Sequence, residues 1–128
     1  MRDLPHETAQ THVDGLGLND LIHVVADAPD TGNGGASHVY EARMGGEVVA
    51  SVQFQHGPRG EDLSTPGITD SVLLDILLDR LRGFQGGPFR CRENALAITK
   101  LEEAHHWLRH RALERHRQGV LGKREAHQ

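Results

Sequence analysis

The feature that most restricts the fold is a run over residues 70–82 that is apolar on nearly every side of a helix. Asp75, Asp79 and Arg82 are spaced four and three residues apart and form one narrow polar stripe. The apolar residues of the run are Val72, Leu73, Leu74, Ile76, Leu77, Leu78 and Leu81. Such a helix must be covered on more than one side, whereas a single partner helix covers only one. The run therefore predicts a subunit interface.

A second helix follows this run after a glycine-rich linker. Thr69 is predicted to cap the first helix, and residues 83–88 (GFQGGP) are predicted to break it. The next helix is predicted from Arg92 to Gln118. Its core stripe is predicted to consist of Ala97, Leu101, Ala104, Leu108 and Ala112. Residues 67–128 are thus expected to form a helical hairpin that carries the ligand-binding and oligomerisation surfaces.

The segment ahead of the hairpin predicts a small β-region over residues 21–66. Branched apolar residues over 21–27 indicate a strand, and residues 38–44 and 47–54 indicate two more strands joined at a glycine pair. Alternation along the last of these strands predicts one buried face. Residues 1–20 are polar and are predicted to be disordered. The expected fold class is α+β, with about three antiparallel strands followed by a long antiparallel helical hairpin that oligomerises.

Charge is distributed unevenly along the chain. Residues 1–78 hold 3 arginines against 12 acidic residues, whereas residues 79–128 hold 11 basic residues against 6 acidic ones. A basic half in an acidic protein indicates a localised anion site, because a protein that coats nucleic acid is expected to be basic overall. Cys91 is the only cysteine, so an intrachain disulfide is excluded. No run is apolar enough for a membrane span, and we expect a cytosolic protein.

The linker holds the first group of candidate anion-binding residues. It contains glycine amides, arginines and two aromatic rings: Gly83, Phe84, Gly86, Gly87, Phe89, Arg90 and Arg92. A helix start beside arginines favours an anion, and an aromatic ring offers a face to a nucleotide base. Asn94 could bond a base edge or a ribose hydroxyl. The alternative is a tight turn whose two phenylalanines belong to the core.

A second group lies on one ridge of the longer helix, where Trp107, Arg111 and Arg115 are spaced four residues apart. Two arginines one turn apart can hold a diphosphate through paired hydrogen bonds. The alternative is a solvated basic face with Glu103 and Glu114 as partners.

Catalytic and metal motifs are weak in comparison. His106 and His110 have the spacing of a metal-binding pair, but no glutamate lies between them and the flanking arginines would repel a cation. Cys91 lies between two arginines that could depress its pKa, although a small residue packed at a helix start is the better explanation. We find no catalytic constellation, and expect no enzyme activity, no metal and no cofactor.

The hairpin as a whole resembles a known phage family. Residues 67–122, and above all the block FQGGPFRCRENALAITKLEEAHHWL, resemble the helical hairpin shared by anti-CBASS nucleotide sponges and the first family of Thoeris anti-defence proteins. HVYEARM and VQFQHGP, ahead of the hairpin, resemble the Thoeris branch. Together the resemblance covers residues 38–122.

This resemblance implies a phage protein that works in the host cytoplasm. It would bind glycocyclic ADP-ribose isomers, with cyclic oligonucleotides at separate sites, and hold them without cleavage. Members assemble as homohexamers, trimers of dimers, and no membrane or nucleic-acid partner is expected.

The resemblance also assigns roles to individual residues. Phe84 and Asn94 match positions that stack on and hydrogen-bond the cyclic ADP-ribose ligand. Arg111 and Arg115 match the arginines that hold its phosphates.

A second nucleotide pocket is implied at Arg59 and Arg92. This chain departs from the family near Arg59, where RGED replaces the more common isoleucine and lysine. It also departs after the second helix, where GVLGK stands in place of a glycine-valine-glutamate-glycine-threonine run. These departures concern ligand preference more than fold.

Two other functions remain open from the residues alone. A nucleotide-degrading enzyme would need a metal or a general base near the arginines, with histidines as the candidates. A structural or DNA-binding phage protein could use Arg109, Arg117, Lys123 and Arg124, and its binding would fall steeply with salt.

Overall fold

The computed structural model describes residues 2–32, 34–57 and 65–119. The chain divides into two compact units, Met1–Gly67 and Ile68–Gln128. The first unit contains a β-sheet and the second contains two helices, so the predicted α+β fold class is confirmed.

The sheet of the first unit is a simple antiparallel meander. Its strands are β1 (His6–Glu7), β2 (Ile22–Ala26), β3 (Val39–Met44) and β4 (Glu47–Gln53), and their order in the sheet is the order in the chain. The last three are the predicted strands. The predicted glycine turn joins β3 to β4, and Gly45 has a φ of +62°, which a side chain would disfavour.

The first strand corrects the prediction that residues 1–20 are disordered. β1 pairs with β2, and Leu4 just before it is buried. The side chain of Gln10 extends the pairing, since its amide both donates to the carbonyl and accepts from the N–H of Val24. The prediction was wrong for this part of the segment because polar side chains do not prevent a backbone from pairing with a sheet edge.

The core of this unit is thin. Val25 and Ala26 of β2 are its buried apolar strand residues. Glu41 of β3 is also buried, and its Oε1 accepts hydrogen bonds from Nη2 and Nε of Arg43 at 2.8 and 3.0 Å. Most side chains of this small sheet are therefore at least partly exposed to solvent.

The prediction that one face of β4 is buried is mostly wrong for the single chain. β4 is an edge strand with a bulge opposite Ala42 and Arg43, and Val48 and Val49 are both exposed. Within β4 only Val52 is partly covered. Phe54, which directly follows the strand, is partly covered through an edge-to-face contact with Tyr40. A strand has the same alternation of side chains whether or not another layer covers it, so the pattern could not predict which side chains are buried.

The second unit is a hairpin of α1 (Asp70–Gln85) and α2 (Arg92–Arg117). Thr69 caps α1 as predicted, through a bond from the Val72 N–H to its hydroxyl. Across the hairpin, Arg82 Nη2 lies 3.0 Å from Glu102 Oε2 and His105 Nε2 lies 3.1 Å from Asp75 Oδ1. The polar stripe of α1 thus borders the second helix.

The predicted break at Gly83 is wrong, because α1 continues through it to Gln85. A glycine inside a helix costs only about 1 kcal/mol relative to alanine. The helix instead closes where the Gly86 and Gly87 N–H groups donate to the carbonyls of Arg82 and Phe84.

The hairpin buries little of its apolar surface within one chain. Leu78 is the buried residue of α1, and α2 has none. The partly covered side of α2 includes Asn94, Ala97, Ile98, Leu101, His105 and Leu108. The predicted core positions Ala104 and Ala112 are exposed. The exposed large apolar side chains of the two helices are Val72, Ile76, Leu77, Phe84, Leu96, Trp107 and Leu113.

Candidate anion-binding site

The turn end of the hairpin presents an aromatic ring with a cation on it. Phe84 is 37% exposed, and the Cζ atom of Arg80 lies 5.0 Å from its ring centroid. Phe89 meets the same ring edge-on at a centroid distance of 6.5 Å and is itself exposed. The two phenylalanines are therefore not core residues of the turn. A flat ligand could stack on a ring that already carries a guanidinium.

The prediction overlooked Arg80. It lies one helical turn before Phe84, and the spacing of four residues was the signal that could have shown the pairing.

The predicted role of the linker amides is wrong. The Gly86 and Gly87 N–H groups close α1, and the Cys91 N–H donates to Gln85 Oε1 at 2.8 Å. Backbone donors already bonded to the protein are not available to an anion. Arg92, the first residue of α2, is exposed nearby and forms no ion pair among the described residues.

Cys91 has a structural role at the same turn. Its Sγ accepts the Asn94 N–H at 3.4 Å and so caps α2. Asn94, one of the predicted ligand residues, lies in this first turn and is half-buried.

The far end of α2 carries the two predicted phosphate ligands. Neither Arg111 nor Arg115 forms an ion pair within residues 65–119, whereas Arg117 lies 3.3 Å from Glu114. Nε of Arg115 is buried and has no hydrogen-bond partner among the described residues. A buried donor without an acceptor costs about 1–3 kcal/mol, and an anion would offset this cost once the guanidinium turns to expose Nε.

Trp107 completes this end of the helix, and its side chain is 64% exposed. The rings of His106 and His110 meet it edge-on at 5.3 and 5.7 Å. In the part of the chain that the structure describes, these two histidines have no third ligand within reach of a common metal ion.

The four predicted ligand residues do not meet within one chain. Asn94 and Arg111 are 17 positions apart on one continuous helix, which at 1.5 Å per residue separates them by about 26 Å. That length approaches the diameter of a small domain. The structure places Phe84 at the turn, and Arg111 with Arg115 near the other end of α2, as two separate candidate half-sites.

The predicted second pocket consists of Arg92 and Arg59. Arg92 lies exposed at the start of α2, and Arg59 lies outside the described residues. No helix in the described ranges is long and apolar enough to cross a membrane.

Known proteins show what this hairpin is. Residues 47–112 match the family described as "Acb2/Tad1, hairpin domain", and the match takes in β4, α1 and most of α2. The chain is also 38% identical to "Thoeris anti-defense 1" of Bacillus phage SBSphiJ7, over 142 aligned positions that cover 98% of this chain and 99% of that protein. The chain therefore belongs to the Acb2/Tad1 hairpin family, among the phage Thoeris anti-defence proteins.

Proposed function

We propose that this protein acts by binding and sequestering an immune signalling nucleotide, with glycocyclic ADP-ribose isomers as the main ligands, without cleaving it. The observation that supports the proposal is that Arg111 and Arg115 have unsatisfied charge and hydrogen-bonding groups among the described residues. They lie one turn apart, lack carboxylate partners among the described residues, and include a buried donor with no acceptor. A diphosphate supplies the missing acceptors.

We infer from the separation of the half-sites that two copies of the chain build each site. If two hairpins pack antiparallel, Phe84 and Asn94 of one copy approach the arginines of the other. The exposed apolar side chains of α1, such as Ile76 at 57% exposure, offer surface for that contact. We propose a homodimer as the binding unit and a trimer of dimers as the full assembly.

Binding without chemistry is the simplest use of such a site. Near Arg111 the candidates for a general base are His106 and His110, and both are packed against Trp107. Sequestration requires only tight binding, and a nanomolar dissociation constant corresponds to about −12 kcal/mol. Charge-assisted hydrogen bonds of about 1.5–3 kcal/mol each, together with stacking, are sufficient for this. The protein would act in the host cytoplasm, where such signals are made.

The test is calorimetric titration of the purified protein with glycocyclic ADP-ribose isomers, followed by heat denaturation and chromatography of the released ligand. We expect saturable binding and recovery of intact nucleotide. Arg111→Ala should weaken binding by about 10- to 100-fold, the equivalent of one lost charge-assisted hydrogen bond.

Arg117→Ala is the matched control, because Arg117 lies on the same helix but is already paired with Glu114. It should change the affinity by about two-fold at most. Equal effects of the two substitutions would show that general positive charge, not a built site, binds the ligand. Recovery of nucleotide fragments would establish an enzyme instead.

We further propose that Arg92, together with Arg59, serves a second pocket for cyclic oligonucleotides. Titration with cyclic di- and trinucleotides should give binding that Arg92→Ala removes and Arg111→Ala leaves in place. Loss in both variants would mean that one pocket serves both classes of ligand.

A further inference from the structure

A cluster of metal-ligating side chains lies in the sheet unit, apart from the hairpin. Asp30, His38 and His56 each place one ligating atom within 4.8 Å of the others. His56 Nε2 lies 2.9 Å from Asp30 Oδ2, and the His38 and His56 rings are stacked with centroids 4.0 Å apart. The three residues come from three separate parts of the sequence.

The backbone holds all three positions in place. The His38 N–H donates to Asp27 Oδ1 at 2.8 Å, and its carbonyl accepts the Phe54 N–H at 2.7 Å. His56 exchanges two backbone hydrogen bonds with Thr65, at 2.9 and 2.8 Å. Asp30 bonds through its N–H and its carbonyl to the segment 35–36. These bonds fix the backbone positions of the three residues within the folded sheet unit.

One ring nitrogen in this cluster lacks a hydrogen-bond partner among the described residues. Nε2 of His38 is buried and has no hydrogen-bond partner among the described residues. An imidazole nitrogen that is buried without a partner costs stability, either as a donor or as an acceptor. A metal ion coordinated by its lone pair would remove that cost.

We propose that Asp30, His38 and His56 bind a divalent transition-metal ion, with Zn²⁺ as the preferred metal. Two imidazole nitrogens and one carboxylate oxygen are a common zinc ligand set, and water would complete a tetrahedron. The ion would join residues 30, 38 and 56 in a unit with little buried apolar surface and without a disulfide. Small domains with thin cores often depend on such a metal for stability.

Coordination requires a small rearrangement. Zinc ligands lie about 2.0–2.2 Å from the ion, which places them about 3.3 Å from one another in a tetrahedron. The rings now lie nearly parallel, with 15° between their planes. Because each lone pair lies in its ring plane, one imidazole must turn about its Cβ–Cγ bond, which is a soft torsion.

The proposal is tested on the full-length chain, purified without a histidine tag and stripped with a chelator before dialysis. Titration with ZnCl₂ should show about one tightly bound ion per chain. It should also raise the melting temperature. His38→Gln and His56→Gln should each weaken zinc binding by at least about ten-fold and abolish the thermal shift.

The matched control is the double substitution His106→Gln/His110→Gln, which removes the histidine pair on α2. It should retain both the bound zinc and the thermal shift. Zinc binding that survives in His38→Gln and His56→Gln, or that disappears in the control, would overturn the proposal. So would the absence of binding at micromolar zinc.

A second measurement does not depend on how well the variants fold. In the ¹⁵N-labelled wild-type chain, zinc should shift the ring-nitrogen resonances of His38 and His56 and leave those of His106 and His110 in place. Shifts confined to other histidines would refute the site. This measurement requires no nucleotide, so it tests the metal site separately from the proposed function.

Discussion

If each nucleotide site is built from two copies of the hairpin, two defective variants should restore each other. Phe84→Ala removes the stacking ring and Arg111→Ala removes a phosphate ligand. We expect each change alone to weaken binding of glycocyclic ADP-ribose by about 10- to 100-fold. Asn94, which follows the turn after Phe84, lies about 26 Å from Arg111 along α2, so we expect that a small ligand cannot reach both ends of the helix within one chain.

The assay mixes the two variants in equal amounts, unfolds them together in urea and refolds them. Random pairing should place an intact ring opposite an intact arginine in about one quarter of the sites. Titration should then show about one quarter of the wild-type capacity, with wild-type affinity. If every site came from a single chain, each would keep one defect and no tight sites would return. That result would refute the two-copy site.

Three further predictions concern stability and charge. Arg43→Ala should lower the free energy of unfolding by about 3 kcal/mol in urea denaturation at fixed protein concentration, because it leaves the buried Glu41 carboxylate unpaired. A loss below about 1 kcal/mol would contradict this. Leu78→Ala should lower the free energy of unfolding by about 2–4 kcal/mol in the same assay, because Leu78 is the buried side chain of α1. A negligible loss would contradict this and would mean that neighbouring side chains fill the cavity. The Gly17 N–H, and then that of Asp14, hold the pKa of Asp20 below its ordinary value of 3.8. These bonds therefore stabilise the fold at pH values above the pKa of Asp20 in the unfolded chain, and this stability is lost as the pH falls through its lower pKa in the folded chain. An NMR titration that gives Asp20 an ordinary pKa in the folded chain would disprove this prediction.

Much of the hairpin was predictable because its signals are local. Thr69 caps α1 through a bond that spans three residues, and α2 begins at the predicted Arg92. The continuation of α1 past Gly83 was not predictable in the same way. A glycine lowers helix stability without forbidding a helix, and hydrogen bonds from the next two glycines set the actual end.

The sheet has features that local sequence signals did not predict. Three strands followed from their composition, but β1 has only two residues and is defined by its pairing with β2. Burial on β4 could not be judged from alternation, because it depends on what covers the strand.

The sequence alone determined the helical hairpin, its apolar first helix and the uneven charge, because these depend on neighbours within a few residues. Only the tertiary structure decided which side chains share a site. It brought Asp30, His38 and His56 together from positions far apart in the chain. Distances of this kind arise from chain topology, which residue spacing does not encode.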